Sequence, residues 1–119
     1  MMDPALVPLA AQRFRALSDP GRLELLAILQ HGERSVGDLV RDLGRNQPNV
    51  SQQLGHLARE GLVASRREGQ KMFYRVTDPF LEAICDAVCR GLHARSRELS
   101  RLVPGTAART RRRQGGGKR

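Results

Sequence analysis

A chain of 119 residues with three Phe, one Tyr and no Trp can bury one modest core, built from Leu, Val, Ile and Ala, which suits packed helices and not a β-sandwich. Its formal net charge of +9 points to phosphate polymers, anionic surfaces or acidic partners. Enzyme classes find little support, because there is no Gly-rich phosphate loop and no His-Glu-x-x-His word, and a Cys/His pair on one helix would lack a third, orienting group.

In chain order, residues 4–17 place Leu6, Ala10, Phe14 and Leu17 on one helical stripe, with Arg13 and Arg15 beside it. Ser18-Asp19-Pro20 then ends one helix and starts another, with Asp19 as N-cap and Pro20 in the first turn. The run Leu23, Leu25, Leu26, Ala27, Ile28 and Leu29 is apolar on most sides, as a helix at the centre of a small bundle should be. His31-Gly32 closes it, His31 reading as a helix-end residue near the last carbonyls. Ser35-Val36-Gly37-Asp38 has the form of a capping box, and Val36, Leu39, Val40 and Leu43 follow as an apolar face before Gly44 stops a short third helix.

Asn46 caps the next helix, and Pro48 fits its first turn because the missing N–H has no intrahelical partner there. Val50, Leu54, Leu57 and Leu62 form the inner stripe of this segment. Pro48, Asn49, Ser51, Gln52, Gly55 and His56 fall on the other side, a face of uncharged hydrogen-bonding groups that can donate to and accept from base edges in a major groove. A polar surface helix rich in amides is the plainer alternative. The few residues between the third and fourth helices give the layout of a helix-turn-helix pair.

After Gly61 the pattern becomes strand-like. Runs 62–65 and 72–76 are separated by Arg66-Arg67-Glu68-Gly69-Gln70-Lys71, which predicts a β-hairpin with a cationic loop able to lie along a phosphate backbone or in a minor groove. Asp78-Pro79 starts the last helix, with Asp78 as N-cap and Leu81, Ile84, Val88, Leu92 and Leu99 as its stripe. That stripe is longer than the core requires and predicts a second copy of the chain as partner. The last sixteen residues, 104–119, hold six of the 21 basic residues and no acid, leaving 15 basic against 12 acidic residues before them. They are expected to be a basic disordered tail to a folded domain spanning 1–103. No apolar run reaches the length of a membrane span and no basic region precedes a hydrophobic block at the N-terminus, so a cytoplasmic protein with reduced thiols is expected.

These elements in this order resemble a winged helix-turn-helix: mainly α with a small β-hairpin wing, dimerising through its N- and C-terminal helices. Four words carry a resemblance to the ArsR/SmtB family of bacterial metal- and stress-sensing transcription regulators. They are Ala16-Leu17-Ser18-Asp19-Pro20-Gly21-Arg22-Leu23, Gln47-Pro48-Asn49-Val50-Ser51-Gln52-Gln53-Leu54, Gly61-Leu62-Val63 and Arg67-Glu68-Gly69-Gln70-Lys71-Met72-Phe73-Tyr74, and the likeness covers roughly residues 10–95. It implies a homodimer that binds a double-stranded DNA operator with inverted half-sites, usually repressing, and whose affinity an effector changes. Carried over by position, the DNA contacts fall on Pro48, Asn49, Ser51 and Gln52, with Gln47 and His56 at the edges and Arg66, Arg67 and Lys71 on the wing. Many relatives have Ser in place of Pro48 and His in place of Gln52, so base preference should differ.

The chain departs from the family at the effector sites. The Cys-x-Cys word of the third helix is absent, since 35–43 holds no Cys or His. Asp78 matches the acid of a second kind of site, for zinc, cobalt or nickel between the last helices, but Phe80 stands where that site has a histidine. Cys85, Cys89 and His93 follow at spacings of four, with Glu82 and Asp86 near, and with Asp78 they are the candidate ligands for a divalent transition metal such as nickel, zinc or cobalt. The two thiols could instead sense oxidation or sulfane sulfur across a dimer, or pack an interface with no effector at all. A constitutive DNA- or RNA-binding protein remains the rival from another class, and it would bind any duplex alike.

Overall fold

A computed structural model describes residues 2–102, with side chains through residue 99; the expected tail, 104–119, lies outside the described residues. The chain divides into two compact units, one ending at Pro79 and the other starting at Phe80. In the first unit a short 3-10 turn, Pro4–Leu6, leads into α1 (Val7–Leu17), followed by α2 (Pro20–Leu29), β1 (Arg34–Ser35), α3 (Val36–Leu43), α4 (Gln47–Arg59), β2 (Val63–Glu68) and β3 (Lys71–Val76). The second unit contains α5 (Leu81–Leu102).

Helix boundaries follow the capping chemistry. The side chains of Asp19, Ser35 and Asn46 each accept from a backbone N–H three residues on, at 3.0, 3.1 and 2.9 Å, which satisfies donors that the first turns of α2, α3 and α4 would otherwise leave open. Only the Ser35 half of the expected capping box is prominent, since the Asp38 carboxylate pairs with Arg41. Gly44 closes α3 in the left-handed conformation (φ 63°), where a Cβ would be strained. The core is formed by Leu25, Leu26 and Leu29 of α2, Leu39 of α3, Val50, Leu54 and Leu57 of α4, and Leu62 and Val63 beyond it.

Three expectations about packing are corrected. Leu17 is buried, but Leu6 and Phe14 of the α1 stripe are exposed, Phe14 at 55%. Helix α2 buries one face and not most sides, leaving Leu23 at 41% exposure. Asp78 lies ahead of the last helix and not in its first turn: α5 starts at Leu81, Phe80 O takes the bond from the Ile84 N–H, and the Asp78 carboxylate receives the Arg13 guanidinium of α1. A charge-assisted pair with an arginine is stronger than a neutral hydrogen bond, so it fixes where the Asp78 side chain stands.

The hairpin is also longer than its sequence suggests. Arg66, Arg67, Glu68 and Lys71 lie within strands, paired Glu68↔Lys71, Arg67↔Met72 and Arg66↔Phe73, and only Gly69-Gln70 forms the turn. Gly69 has φ 62° and Gln70 does not have positive φ, the pattern of a two-residue turn with glycine first, which matches the twist of the strands it joins. A third strand, β1, pairs antiparallel with β3 through Arg34↔Tyr74 and Ser35↔Phe73, giving the order β1-β3-β2. Two residues carry no periodicity, so this strand is made by docking and not by pattern.

Helix α5 has 22 residues and, at about 1.5 Å per residue, runs roughly 33 Å. Leu81 is buried, while Val88 and Leu92 are 56% and 61% exposed and Leu99 is exposed as well. No helix among the described residues is long and apolar enough to cross a membrane.

Candidate nucleic-acid interface

Helix α4 presents the expected two faces. Val50, Leu54 and Leu57 are fully buried, and Gln47, Pro48, Ser51 and Gln52 are exposed, with Asn49 and His56 half-buried at the margins. The exposed turn therefore offers amide and hydroxyl groups with no charged side chain between Gln47 and Gln52, a composition able to donate to and accept from base edges.

Two polar clamps hold this helix to α2. Gln53 donates from Nε2 to Asp19 Oδ2 at 3.0 Å and accepts from Arg22 Nη1 at 3.2 Å, while Arg22 also donates to the carbonyls of Ala16 (2.7 Å) and Arg15 (3.0 Å) at the end of α1. The Arg22 backbone N–H, above all, holds the Asp19 carboxyl below its ordinary range, with the Arg22 charge and the Gln53 amide adding to it. At the helix start, Arg45 donates to Asn49 Oδ1 through Nε (2.9 Å) and Nη2 (2.5 Å) and to Gly21 O through Nη1 (3.1 Å). A Cβ on Gly21 would lie 2.9 Å from Arg45 Nη2, so glycine permits this approach. Asn49, a candidate base contact, thus has its side-chain oxygen engaged within the protein. Periodicity and spacing do not reveal the roles of Arg22, Arg45 and Gln53, which exist only when α2 and α4 meet.

The hairpin cations separate onto two faces, since neighbours along a strand point opposite ways. Arg67 sits across from Met72 on one face, and Arg66 sits across from Phe73 on the other. Arg66 is held by Glu33 just before β1 (Nη2 to Oε1 2.6 Å, Nε to both oxygens) and by Glu68 (Nη1 to Oε2 2.6 Å), with its guanidinium carbon 4.6 Å from the Phe73 ring centre. The hydrogen bonds to Glu33 and then Glu68 push the Arg66 pKa up, and the same bond holds the Glu33 carboxyl down. Lys71, by contrast, stands at the turn and lines a groove of about 490 Å³ together with Gln70, Met72 and Tyr74 of the hairpin, Gln47 and Ser51 of α4, and Asp38 and Arg41 of α3.

On α5, Cys85 is half-buried and Cys89 and His93 are exposed. Each step of four residues advances about 6 Å and turns about 40°, which puts Cys85 and His93 some 12 Å apart along the axis, too far to share one ion with bonds of about 2.0–2.3 Å. Among the described residues no three His, Cys, Asp or Glu side chains come together as a metal site. The row of one chain therefore does not fit a metal ion by itself, and the Asp78 side chain, 8% exposed, pairs with Arg13.

A helix pair joined by a tight turn, an amide-bearing second helix and a flanking antiparallel hairpin define a winged helix-turn-helix DNA-binding protein. The family described as bacterial regulatory protein, arsR family, matches residues 19–65. The chain is 41% identical to the HTH-type transcriptional regulator Rv0081 of Mycobacterium tuberculosis over 80% of its own length and 83% of that protein, and the crystal structure of that regulator superposes with a TM-score of 0.68, covering 86% and 99%. The chain belongs to the ArsR family. It is similar as well to the biofilm growth-associated repressor of Xylella fastidiosa, 46% identical over 57% of this chain and 60% of the repressor; the crystal structure of the transcriptional repressor BigR from Xylella fastidiosa matches at 38% identity over 71% and 86% of the two chains, with a TM-score of 0.66. A homodimeric winged helix-turn-helix DNA-binding domain from Mycobacterium bovis matches at 30% identity over 78% of this chain and 88% of that one, with a TM-score of 0.68.

Proposed function

We propose that this protein is a cytoplasmic transcriptional repressor that binds an inverted-repeat operator as a homodimer, reading bases through Gln47, Ser51 and Gln52. Pro48, Asn49 and His56 border that contact, Arg67 and Lys71 of the wing lie along phosphate, and Arg66 steadies the wing. The observation that carries the reading is the charge-free exposed turn of α4, clamped to α2 at both Arg45 and Gln53. Rigid presentation lowers the cost of ordering on binding. Dimerisation is supported by the apolar residues left open on the Pro4–Leu6 turn, α1 and α5, namely Leu6, Phe14, Val88 and Leu92, and by the homodimeric state of the M. bovis relative. Repression is supported by the name of the X. fastidiosa relative.

An effector acting on α5 would work through Cys85, Cys89 and His93. A zinc, nickel or cobalt ion there needs donors from a second chain, because one chain supplies no three-ligand group among the described residues. Thiol chemistry needs only an accessible sulfur, which Cys89 has. The deciding experiment follows binding of the purified dimer to its own promoter while zinc, nickel, cobalt and, separately, a thiol oxidant are added. Release or tightening by an ion that is abolished in Cys89→Ser and His93→Ala supports the metal; an effect of oxidant alone, abolished by Cys89→Ser and kept in His93→Ala, supports the thiol. Equal affinity for promoter and shuffled DNA would end the operator reading.

A further inference from the structure

The groove between α3, the start of α4 and the hairpin tip is lined by two cations of different standing. Lys71 belongs to the wing, whereas Arg41 comes from α3, a helix to which base reading assigns no part. Arg41 is largely exposed and pairs with Asp38, one turn earlier on the same helix and also in the groove lining. An exposed pair of this kind contributes little to stability, so the guanidinium can exchange a carboxylate for another anion at small cost.

The position of the groove says which anion. A helix in the major groove and a hairpin tip at the adjacent minor groove must stand on either side of one sugar–phosphate strand, since that strand separates the two grooves. Gln47 and Ser51 of the reading helix line the groove, and so do Gln70 and Lys71 of the hairpin tip. The Tyr74 hydroxyl and the Gln70 amide can donate to phosphate oxygens beside the charges of Arg41 and Lys71, while Gln47 and Ser51 border the strand from the base-reading side.

We propose that this groove seats one sugar–phosphate strand of the operator, with Arg41 leaving Asp38 to contact a phosphate opposite Lys71. Asp38 then acts as a brake: it competes for Arg41 in the free protein and repels the phosphate in the complex. This rests on the reading of the protein as an operator-binding regulator, and the test separates the two.

Binding of the full-length protein to its own promoter duplex and to a shuffled duplex of equal length is measured from about 50 to about 200 mM salt. Arg41→Ala, which removes one contact from each half of the dimer, should reduce the slope of log affinity against log salt by about 2 on both duplexes, so that affinity falls roughly tenfold less over that range. Arg41→Lys should keep the slope, and Asp38→Asn should bind both duplexes more tightly with the promoter preference unchanged, because phosphate contacts carry no base information. Thermal melts establish that each variant is folded, and Arg41→Gln replaces Arg41→Ala if the latter melts early. An unchanged slope in the folded Arg41 variant, or an Asp38→Asn protein that binds no more tightly, overturns the proposal. Equal wild-type affinity for both duplexes overturns the operator reading instead, while the slope still decides whether the groove holds a phosphate strand.

Discussion

Gln53 reaches from the middle of α4 to Asp19, donating to the same carboxylate oxygen that caps α2. One acid thus serves as helix cap and as anchor of α4, and Arg22 extends the link to the carbonyls at the end of α1. The angle at which α4 leaves the body is set by this polar triangle together with the buried Val50, Leu54 and Leu57. Asp19→Ala should cost about 1–2 kcal/mol in urea unfolding, the upper part of the range for a lost cap, because Gln53 loses its acceptor as well.

The same carboxylate makes stability fall in acid. Its folded pKa lies below the ordinary 3.8, so the unfolded chain binds the proton first as acid is added. The contribution is fully present above that ordinary value and is lost as pH falls through the folded one. Wild-type stability should therefore drop more steeply than that of Asp19→Asn below about pH 4. Parallel curves for the two proteins would show that Asp19 is not held in the way its geometry indicates.

On the exposed turn of α4, Ser51→Ala and Gln52→Ala should each reduce the preference for the operator over shuffled DNA by about 1–3 kcal/mol, with nonspecific affinity nearly intact. Anisotropy titrations on both duplexes give this difference. Equal losses on the two would remove these side chains from base reading.

The two adjacent arginines of the wing should behave differently. Arg67→Ala, lost from both wings of the dimer, is expected to flatten the salt dependence of DNA binding by about two units of slope. Arg66→Ala should change that slope less and instead loosen the wing, because its charge is already matched by Glu33 and Glu68 and its plane rests near Phe73. Faster amide exchange at Tyr74 and Phe73, where β1 pairs with β3, would report the loosening.

Leu92→Asp places a charge in the open apolar stripe of α5 without touching the buried core. Sedimentation should show a folded monomer in place of a dimer, and promoter binding should fall with it, since each half-site loses its tethered neighbour. An unchanged dimer would locate the interface elsewhere.

Much of this architecture is legible in single residues. Asp19, Ser35, Asn46 and Gly44 mark helix ends because their chemistry acts within three or four positions, and Val50, Leu54, Leu57 and Leu62 declare an inner face by spacing alone. The strand β1, the full length of the hairpin and the capture of Asp78 by Arg13 were not legible in that way. Each depends on groups distant in sequence: Arg34 finds Tyr74, Glu33 finds Arg66, and Arg13 finds Asp78.

What the linear order of residues determined by itself was the set of elements and the amide-rich face of α4, because caps, turn glycines and helical repeats are local. Only the tertiary structure decided which cations are already matched, which helix carries Arg41 into the groove, and which apolar residues of α1 and α5 stay open. Charge pairing and burial are properties of surfaces brought together, and no local pattern contains them.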